Sequence, residues 1–175
     1  MSLIIKNLND LRNQYSLLFC DVWGCVHNGI EAFKSADLAL TAFRKSGGIV
    51  VLLTNAPRPA KAVKRQLDKI GLSDDSYDHI VTAGDAALEF IKKNNLGKKI
   101  YHIGPAKDKS FFDTLFSTSG TYGFSLTPLQ KADFIVCTGL FNDQTETPEN
   151  YRSIFKRAKA QKLSMICTNP DVFVD

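Results

Sequence analysis

The strongest constraint on the fold is the alternation of short apolar runs with amphipathic segments in the first half of the chain. Residues 16–22 and 49–53 form continuous apolar runs of strand length, which predict strands covered on both faces, as in a parallel sheet. Residues 79–82 predict a third, shorter strand. Helical patterns separate these runs, so the order is strand, helix, strand, helix, strand. That order predicts an α/β fold with right-handed crossovers and a parallel sheet.

Polar and glycine signals mark the ends of the predicted helices. Ser35 is the expected N-cap of the first intervening helix, which ends at Gly47-Gly48. The second runs over about residues 59–70 and stops at Gly71. Leucine and isoleucine recur at helical spacing near the N-terminus and predict a short leading helix over residues 2–14.

The second half of the chain repeats this rhythm less regularly. We predict helices over residues 85–93, 109–116 and 148–161, and strands over residues 99–103, 122–126, 134–138 and 163–168. The stretches 104–105 and 117–121 are typical of loops rather than domain linkers. The second half therefore extends the α/β pattern of the first.

Composition limits the classes of function that the chain can have. Its 175 residues suffice for one domain, or one domain with a small insertion. The 22 Lys and Arg residues exceed the 18 Asp and Glu residues, but they are scattered along helices, which favours solvated faces over a nucleic-acid interface. No apolar run reaches the ~20 residues of a membrane span. We expect a cytoplasmic protein, without nucleic-acid or membrane partners, whose four cysteines are reduced and mostly buried.

Polar residues that could carry chemistry directly follow the first two strands. Asp21 closes the first run, and Thr54-Asn55 closes the second. In an open parallel sheet, ligands bind beyond the carboxyl ends of the strands, so neighbouring strands would bring these groups to one crevice. Taken separately, each has an equally good structural explanation, since Asp21 can cap a loop and Thr54 a helix. The two together in one topology favour a functional site.

These residues, in their order, resemble a known family. A strand ending in Asp-x-x-Gly, followed by a strand ending in Thr-Asn, resembles the haloacid dehalogenase superfamily of hydrolases. The stretches LLTNAPRP, DHIVTAGDAAL, IYHIG and CTNPDV are similar in order and spacing to its class IIA members. Those members are the capped phosphatases, which include the NagD-like and 4-nitrophenyl phosphate phosphatases. The resemblance covers nearly the whole chain.

The resemblance implies a Rossmann-like parallel-sheet core with an inserted α/β cap. Residues 1–83 match the first part of the core, residues 84–169 match the cap, and residues 170–175 match the return toward the core. A cap of this kind would close over the site, exclude water and select the substrate.

The resemblance also implies roles for individual residues. Asp21 matches the nucleophile that takes the phosphoryl group, and its carboxylate matches a ligand of the Mg²⁺ cofactor. The backbone carbonyl of Trp23 matches a second metal ligand. Thr54 matches the hydroxyl that grips the phosphate, with the Asn55 amide beside it. The remaining residues expected at the substrate phosphate are Gly24 and Asn169.

Trp23 is also the first departure from the family pattern. Such phosphatases normally carry a second aspartate at this position, which protonates the leaving oxygen. An indole N–H can donate a hydrogen bond but is not a titratable acid, and loss of a general acid lowers the rate by ~10²- to 10⁴-fold. His27 is a nearby titratable replacement, although a role as a polar loop residue is favoured. Three explanations stay open: a good leaving group, a substrate that supplies its own proton, or phosphate binding without turnover.

The second departure concerns the later core elements of the family. A lysine that steadies the phosphate and a strand ending in paired aspartates are expected after Asp171. The acidic run at residues 74–78 follows a helix and is predicted to be a surface turn, and Gly84-Asp85 is predicted to cap a helix. We therefore expect these residues to correspond to the first two-thirds of such an enzyme, with an exposed apolar edge and face on its sheet.

The sequence thus predicts a hydrolase that acts on a small phosphorylated metabolite through Asp21, with magnesium as cofactor. One alternative is a phosphate-binding or regulatory protein on the same fold with impaired catalysis. Another is an α/β domain whose Asp21 and Thr54 only cap loops. A homodimer formed through the cap is a further expectation, whereas no motif in the cap loops identifies the substrate.

Overall fold

The computed structural model describes residues 7–12, 14–118 and 123–169, and it divides the chain into two compact units. Unit 1 consists of Met1–Thr54 and Ala60–Thr82, and unit 2 consists of Asn55–Pro59 and Ala83–Asp175. Each unit is a parallel sheet with helices, which confirms the predicted α/β class.

Unit 1 contains a three-stranded parallel sheet. Its strands are β1 (Leu17–Asp21), β2 (Ile49–Thr54) and β3 (His79–Thr82), in the spatial order β1-β2-β3. They are connected by helices α1 (Lys34–Lys45) and α2 (Ala60–Lys69). The first two parallel strands are therefore neighbours, which is the condition on which the predicted site depends.

Both helices pack on the same face of this sheet. The two connections run in the same direction across the sheet, and right-handed crossovers then place both helices on one side. Helix α1 contacts β2, and helix α2 contacts β3. The side chains buried in this layer include Leu40, Phe43, Val50, Leu52, Val63 and Leu67.

The other face of the sheet is largely exposed among the described residues. Phe19 is 62% exposed, and Leu17, Ile49, Leu53 and Val81 are exposed as well. The prediction that β1 is covered on both faces is therefore wrong for these residues, because an apolar run shows that both faces are apolar but not what packs on them. The exposed apolar face that we expected is present.

The predicted helix starts need two corrections. Helix α1 begins at Lys34, so Ser35 is not its N-cap, and Phe33 in that position makes no side-chain cap hydrogen bond. The Phe33 amide instead donates to the carbonyl oxygen of Val26 at 2.8 Å, so the preceding loop fixes the helix start. The next helix, α3 (Ala83–Lys93), has Gly84-Asp85 inside its first turn rather than at a cap.

Some predicted elements fall partly outside the described residues. Leu8–Leu11 forms a short 3-10 helix within the predicted helix 2–14, whereas residues 1–6 and 13 lie outside. The predicted strand 122–126 corresponds to Ser125–Leu126, with residue 122 outside. Residues 170–175, including the expected return toward the core, also lie outside.

Unit 2 contains a four-stranded parallel sheet between two helical layers. Its strands lie in the order β5-β4-β6-β7 and are β4 (Lys99–Ile103), β5 (Ser125–Leu126), β6 (Phe134–Cys137) and β7 (Ser164–Cys167). Its helices are α3 (Ala83–Lys93), α4 (Lys109–Thr118) and α5 (Pro148–Ala160). One apolar cluster joins α3 and α4 to Phe134 and Val136, and a second joins α5 to Ile103 and Ile135. Alternate residues of β6 thus face opposite layers.

The four cysteines are free thiols, but none of them is fully buried. Cys20 and Cys137 are half-buried, and Cys25 and Cys167 are exposed. The predicted burial is wrong because Cys20 and Cys167 lie in edge strands and Cys137 is the last residue of β6. Among the described residues, no helix has the length and apolar character needed to cross a bilayer.

Candidate active site

Asp21 is the last residue of β1, and its carboxylate is only partly engaged. One oxygen, Oδ1, accepts a hydrogen bond from the Val22 amide at 2.8 Å, which fixes the orientation of the side chain. The other oxygen, Oδ2, makes no hydrogen bond or ion pair within the described residues. The side chain is exposed. Asp21 thus presents one carboxylate oxygen at the carboxyl end of the sheet.

Thr54 occupies the corresponding end of β2. Asp21 is the partner of Leu53 across the sheet, so Thr54 lies one residue further along, and its side chain starts from the opposite face. Thr54 is buried and pairs with Thr82 at the end of β3. The predicted pairing of Asp21 and Thr54 at neighbouring strand ends is therefore present. Thr82 is an additional hydroxyl that sequence reasoning missed, although a threonine closing the third apolar run was a readable signal.

Residues 22–33, which follow Asp21, form a loop stapled by backbone hydrogen bonds. The Gly24 amide donates to the His27 carbonyl oxygen at 2.9 Å, and the Val26 amide donates to the Val22 carbonyl oxygen at 2.9 Å. Gly24 has a φ of +73°, and Gly29 has a φ of +88°, which are conformations that glycine adopts readily. The loop therefore has a defined path that returns to α1.

The side chains of Trp23 and His27 pack together inside this loop. Their rings meet edge to face, with centroids 5.4 Å apart and an interplanar angle of 89°. The Trp23 ring also lies against Gly29, where an added Cβ would come within 2.7 Å of the ring atom Cη2. Trp23 is 49% exposed, whereas His27 is only 4% exposed. The loop thus holds an aromatic ring at the surface on a buried histidine.

The hydrogen bonding of His27 defines its protonation. The Gly29 amide donates to Nδ1 at 2.8 Å, so Nδ1 carries no proton and the neutral ring bears its proton on Nε2. His27 thus helps to fix the loop through Nδ1, and its expected role as a polar loop residue stays a prediction.

Cys20 lies beside Asp21 but is not a reactive thiolate. Burial, followed by the neighbouring Cys25 and Asp21, raises the pKa of the Cys20 thiol to about 11. An apolar cavity of about 220 Å³ in unit 1 lies along β1 as far as Phe19, and Asp21 does not line it. It is lined by residues such as Leu11, Leu17 and Phe43 and offers no charged group for a phosphate.

The remaining predicted residues are not all brought to Asp21 within one unit. Gly24 lies in the stapled loop of unit 1. Asn55 follows Thr54 directly in the chain and is exposed, and Asn169 follows β7, but both belong to unit 2. Their roles at the phosphate stay predictions.

A magnesium ion would find part of its coordination shell in unit 1. Magnesium prefers oxygen ligands and usually combines one or two carboxylates with waters and a substrate phosphate. The unengaged Oδ2 of Asp21 and the backbone carbonyl of Trp23 fit that preference. Within residues 7–12, 14–118 and 123–169, no three His, Cys, Asp or Glu side chains form a group that could hold a metal. The described residues thus offer a partial site.

Comparison with known proteins identifies the family. A family model described as haloacid dehalogenase-like hydrolase matches residues 18–115, more than half of the chain. The crystal structure of a hydrolase of the haloacid dehalogenase-like family from Brucella suis 1330 is 36% identical and superposes with a TM-score of 0.86. That match covers 99% of this chain and 63% of the Brucella suis chain.

More distant structures share the fold. NagD from E. coli K-12 is 24% identical with a TM-score of 0.61, over 91% of this chain and 59% of that chain. The 4-nitrophenylphosphatase from Thermotoga maritima is 22% identical with a TM-score of 0.64, over 93% of this chain and 57% of that chain. No functionally curated protein matches the sequence. The chain spans less than two-thirds of the length of each of these structures.

The family model and the Brucella suis structure confirm the resemblance to the haloacid dehalogenase-like hydrolases, and NagD and 4-nitrophenylphosphatase share the fold. The family model extends over most of unit 1 and into α4 of unit 2, and the Brucella suis structure superposes on nearly all of the chain. The chain belongs to the haloacid dehalogenase-like hydrolase family.

Proposed function

We propose that this protein is a magnesium-dependent phosphatase that acts on a small phosphorylated metabolite through Asp21. The observation that carries the proposal is the unengaged carboxylate oxygen of Asp21 at the carboxyl end of β1, beside the end of β2 at Thr54. Ligands of open parallel sheets bind in this position. The family membership supports hydrolysis, and 4-nitrophenylphosphatase among the similar structures supports a phosphate ester as substrate.

In the proposed reaction, Oδ2 of Asp21 attacks phosphorus, and the bond from phosphorus to the leaving oxygen breaks. Water then cleaves the aspartyl-phosphate, which releases phosphate and restores the carboxylate. Hydrogen bonds from Thr54 and from the amides at Gly24 and Asn55 would stabilise the charge on the transferred group. A magnesium ion held by Asp21 and the Trp23 carbonyl would neutralise phosphate charge. Asn169 would contact the substrate phosphate.

The leaving oxygen receives no proton from the loop in this proposal. Trp23 has no titratable group, and the neutral His27 uses its Nδ1 lone pair to accept the Gly29 amide. A leaving group that departs as a stable anion needs no such proton. We therefore expect turnover to fall steeply as the pKa of the leaving group rises.

We also propose that unit 1 is the first part of the catalytic core, over residues 1–83, and that the cap is formed by residues 84–169. The three-layer packing of unit 2 around its own apolar clusters supports an independently folded cap. A cap of this kind would select the substrate by exclusion of water and of other ligands. A homodimer through the cap stays a prediction.

The second candidate function is phosphate binding without turnover. The observation that favours it is the same loop, in which a tryptophan and a neutral histidine stand where an acid would speed the reaction. Both candidates require phosphate to bind near Asp21, so turnover distinguishes them.

The test is hydrolysis of 4-nitrophenyl phosphate by the full-length natural protein, with magnesium and with a chelator. The 4-nitrophenolate leaving group is a weak base, so the missing general acid should matter little. We expect magnesium-dependent turnover that Asp21→Asn reduces to background. Asp75→Asn makes the same chemical change in the exposed turn after α2 and should leave the rate unchanged. Folded protein without turnover, but with phosphate binding, would favour the second candidate.

A further inference from the structure

We propose that the indole of Trp23 is a stacking platform for an aromatic ring of the substrate, so that the protein selects phosphate monoesters whose ring lies next to the phosphate. This inference rests on the proposed function, because it places the phosphate at Asp21. It adds the class of substrate and a residue that determines specificity.

The Trp23 ring starts from a position close to Asp21. Two residues along the chain span at most about 7 Å between Cα atoms, so Trp23 begins within one small molecule's length of Asp21. Both residues are exposed, whereas Val22 between them is buried. The carboxylate and the indole are therefore both accessible to a ligand at the end of β1.

The Trp23 ring is held in place by its neighbours in the loop. His27 supports it edge to face, and His27 is itself fixed by the Gly29 amide at Nδ1 and by backbone bridges to Trp23 and Ala32. A ring fixed before binding loses little conformational entropy when a ligand stacks on it. Exposed aromatic residues on a mobile chain would not have this advantage.

The Trp23 ring occupies space that only a glycine at position 29 leaves free. Gly29 meets Cη2 and Cζ3 of Trp23 where any other residue would place its Cβ at 2.7 and 2.8 Å. The positive φ of Gly29 also disfavours other residues. The backbone of Gly29 therefore approaches the outer edge of the six-membered ring closely, while about half of the residue stays exposed. A tryptophan that is held at its ring edge and remains half exposed is suited to stacking.

The chemistry of the exposed indole of Trp23 defines the class of ligand. Tryptophan faces attract planar aromatic groups in offset-stacked geometry and add about 0.5–1.5 kcal/mol beyond burial of area, which corresponds to about a two- to tenfold gain in affinity. A ring joined directly to the phosphate oxygen would lie within reach of Trp23. Such an aryl oxygen also leaves as a stable anion, in agreement with the absence of a general acid in the loop.

Trp23 is the single tryptophan of these 175 residues, so a change in emission that the Trp23→Phe variant lacks reports binding at this residue. We would titrate the full-length Asp21→Asn protein, which cannot consume the ligand, with phenyl phosphate, methyl phosphate and inorganic phosphate in the presence of magnesium. We expect phenyl phosphate to bind about two- to tenfold more tightly than methyl phosphate and to change the Trp23 emission, which methyl phosphate should leave nearly unaltered.

Two variants in the same background separate the ring from its packing. Calorimetry should show that Trp23→Phe keeps most of the preference for phenyl phosphate over methyl phosphate and that Trp23→Leu abolishes this preference. Circular dichroism checks that each variant folds. The comparison of ligands in the Asp21→Asn protein that keeps Trp23 does not depend on these variants.

The outcomes distinguish this inference from the function on which it rests. Equal affinity for phenyl and methyl phosphate, with no change in Trp23 emission, would overturn the stacking platform and leave a phosphate site at Asp21. Failure of all three compounds to bind, together with no turnover of 4-nitrophenyl phosphate by the protein with Asp21 intact, would overturn the proposed function itself.

Discussion

Replacement of Gly29 by alanine should displace Trp23, and Gly24→Ala provides a matched control. Both glycines have positive φ angles, of +88° and +73°. A non-glycine residue in this region costs about 1–2 kcal/mol, partly offset by about 0.4–1 kcal/mol from the lower entropy of the unfolded chain. Gly24 has no atom within 4 Å of an added Cβ, so Gly24→Ala should lower stability by only about 0.5–1 kcal/mol.

Gly29→Ala adds a clash to this backbone cost. Its Cβ would lie 2.7 Å from Cη2 of Trp23, so the ring must leave its contact with His27. Loss of an aromatic pair is worth about 0.5–1.5 kcal/mol, which brings the expected loss to about 1–2.5 kcal/mol. Urea unfolding followed by Trp23 fluorescence measures both variants within unit 1. Equal losses in the two variants, with unaltered emission of the folded proteins, would refute the packing described here.

Three further predictions concern the rest of the two units. Asp78→Asn should destabilise unit 1 by about 1–3 kcal/mol, because Asp78 accepts from Arg44 at 2.7 Å and from the Val50 amide at 2.8 Å. The Arg44 guanidinium lowers the pKa of Asp78, so the stability that Asp78 contributes should be complete above the ordinary carboxyl pKa and should be lost as the pH falls through the lowered pKa. Urea titrations should show that Asp78→Asn lacks this loss of stability at acid pH. Ser110→Ala should stabilise unit 2 by about 0.5–1 kcal/mol, because the buried Ser110 hydroxyl has no hydrogen-bond partner within the described residues and alanine favours helix. A lower melting temperature of the variant by circular dichroism would contradict this. Burial raises the pKa of Asp108, although the hydrogen bond from Thr138 lowers it in part, so unit 2 should gain stability as the pH falls through the raised pKa. Asp108→Asn should remove that gain, and a variant with the same pH dependence of stability as the unsubstituted protein would contradict this.

The elements of both units could be predicted closely from local pattern. Strands β3 and β4 have the predicted bounds, and β1, β2 and β6 differ from prediction by one or two residues. These boundaries depend on apolar run length and on glycine, as at Gly47, whose φ of +92° ends α1 where predicted. Such signals act over a few residues and are therefore readable in the sequence.

Side-chain surroundings were less predictable. The loop hydrogen bond from Phe33, not Ser35, determines where α1 begins, and that bond joins residues seven positions apart. Cys20, Cys137 and Cys167 lie in apolar runs, yet an edge strand or a strand end leaves them half-buried or exposed. Such outcomes depend on which element packs on a strand, and no local pattern encodes it.

For the candidate site, the sequence by itself determined that Asp21 and Thr54 would follow two strands, because parallel strands bring their carboxyl ends to one edge. Only the tertiary structure decided what surrounds them. It paired Thr54 with Thr82, left one oxygen of Asp21 unengaged, and fixed His27 as a neutral ring through the Gly29 amide. It also set the edge of the Trp23 ring against Gly29 and left about half of the residue exposed. These features require a turn of chain to fold back on itself, so contact geometry, rather than residue type or spacing, determines them.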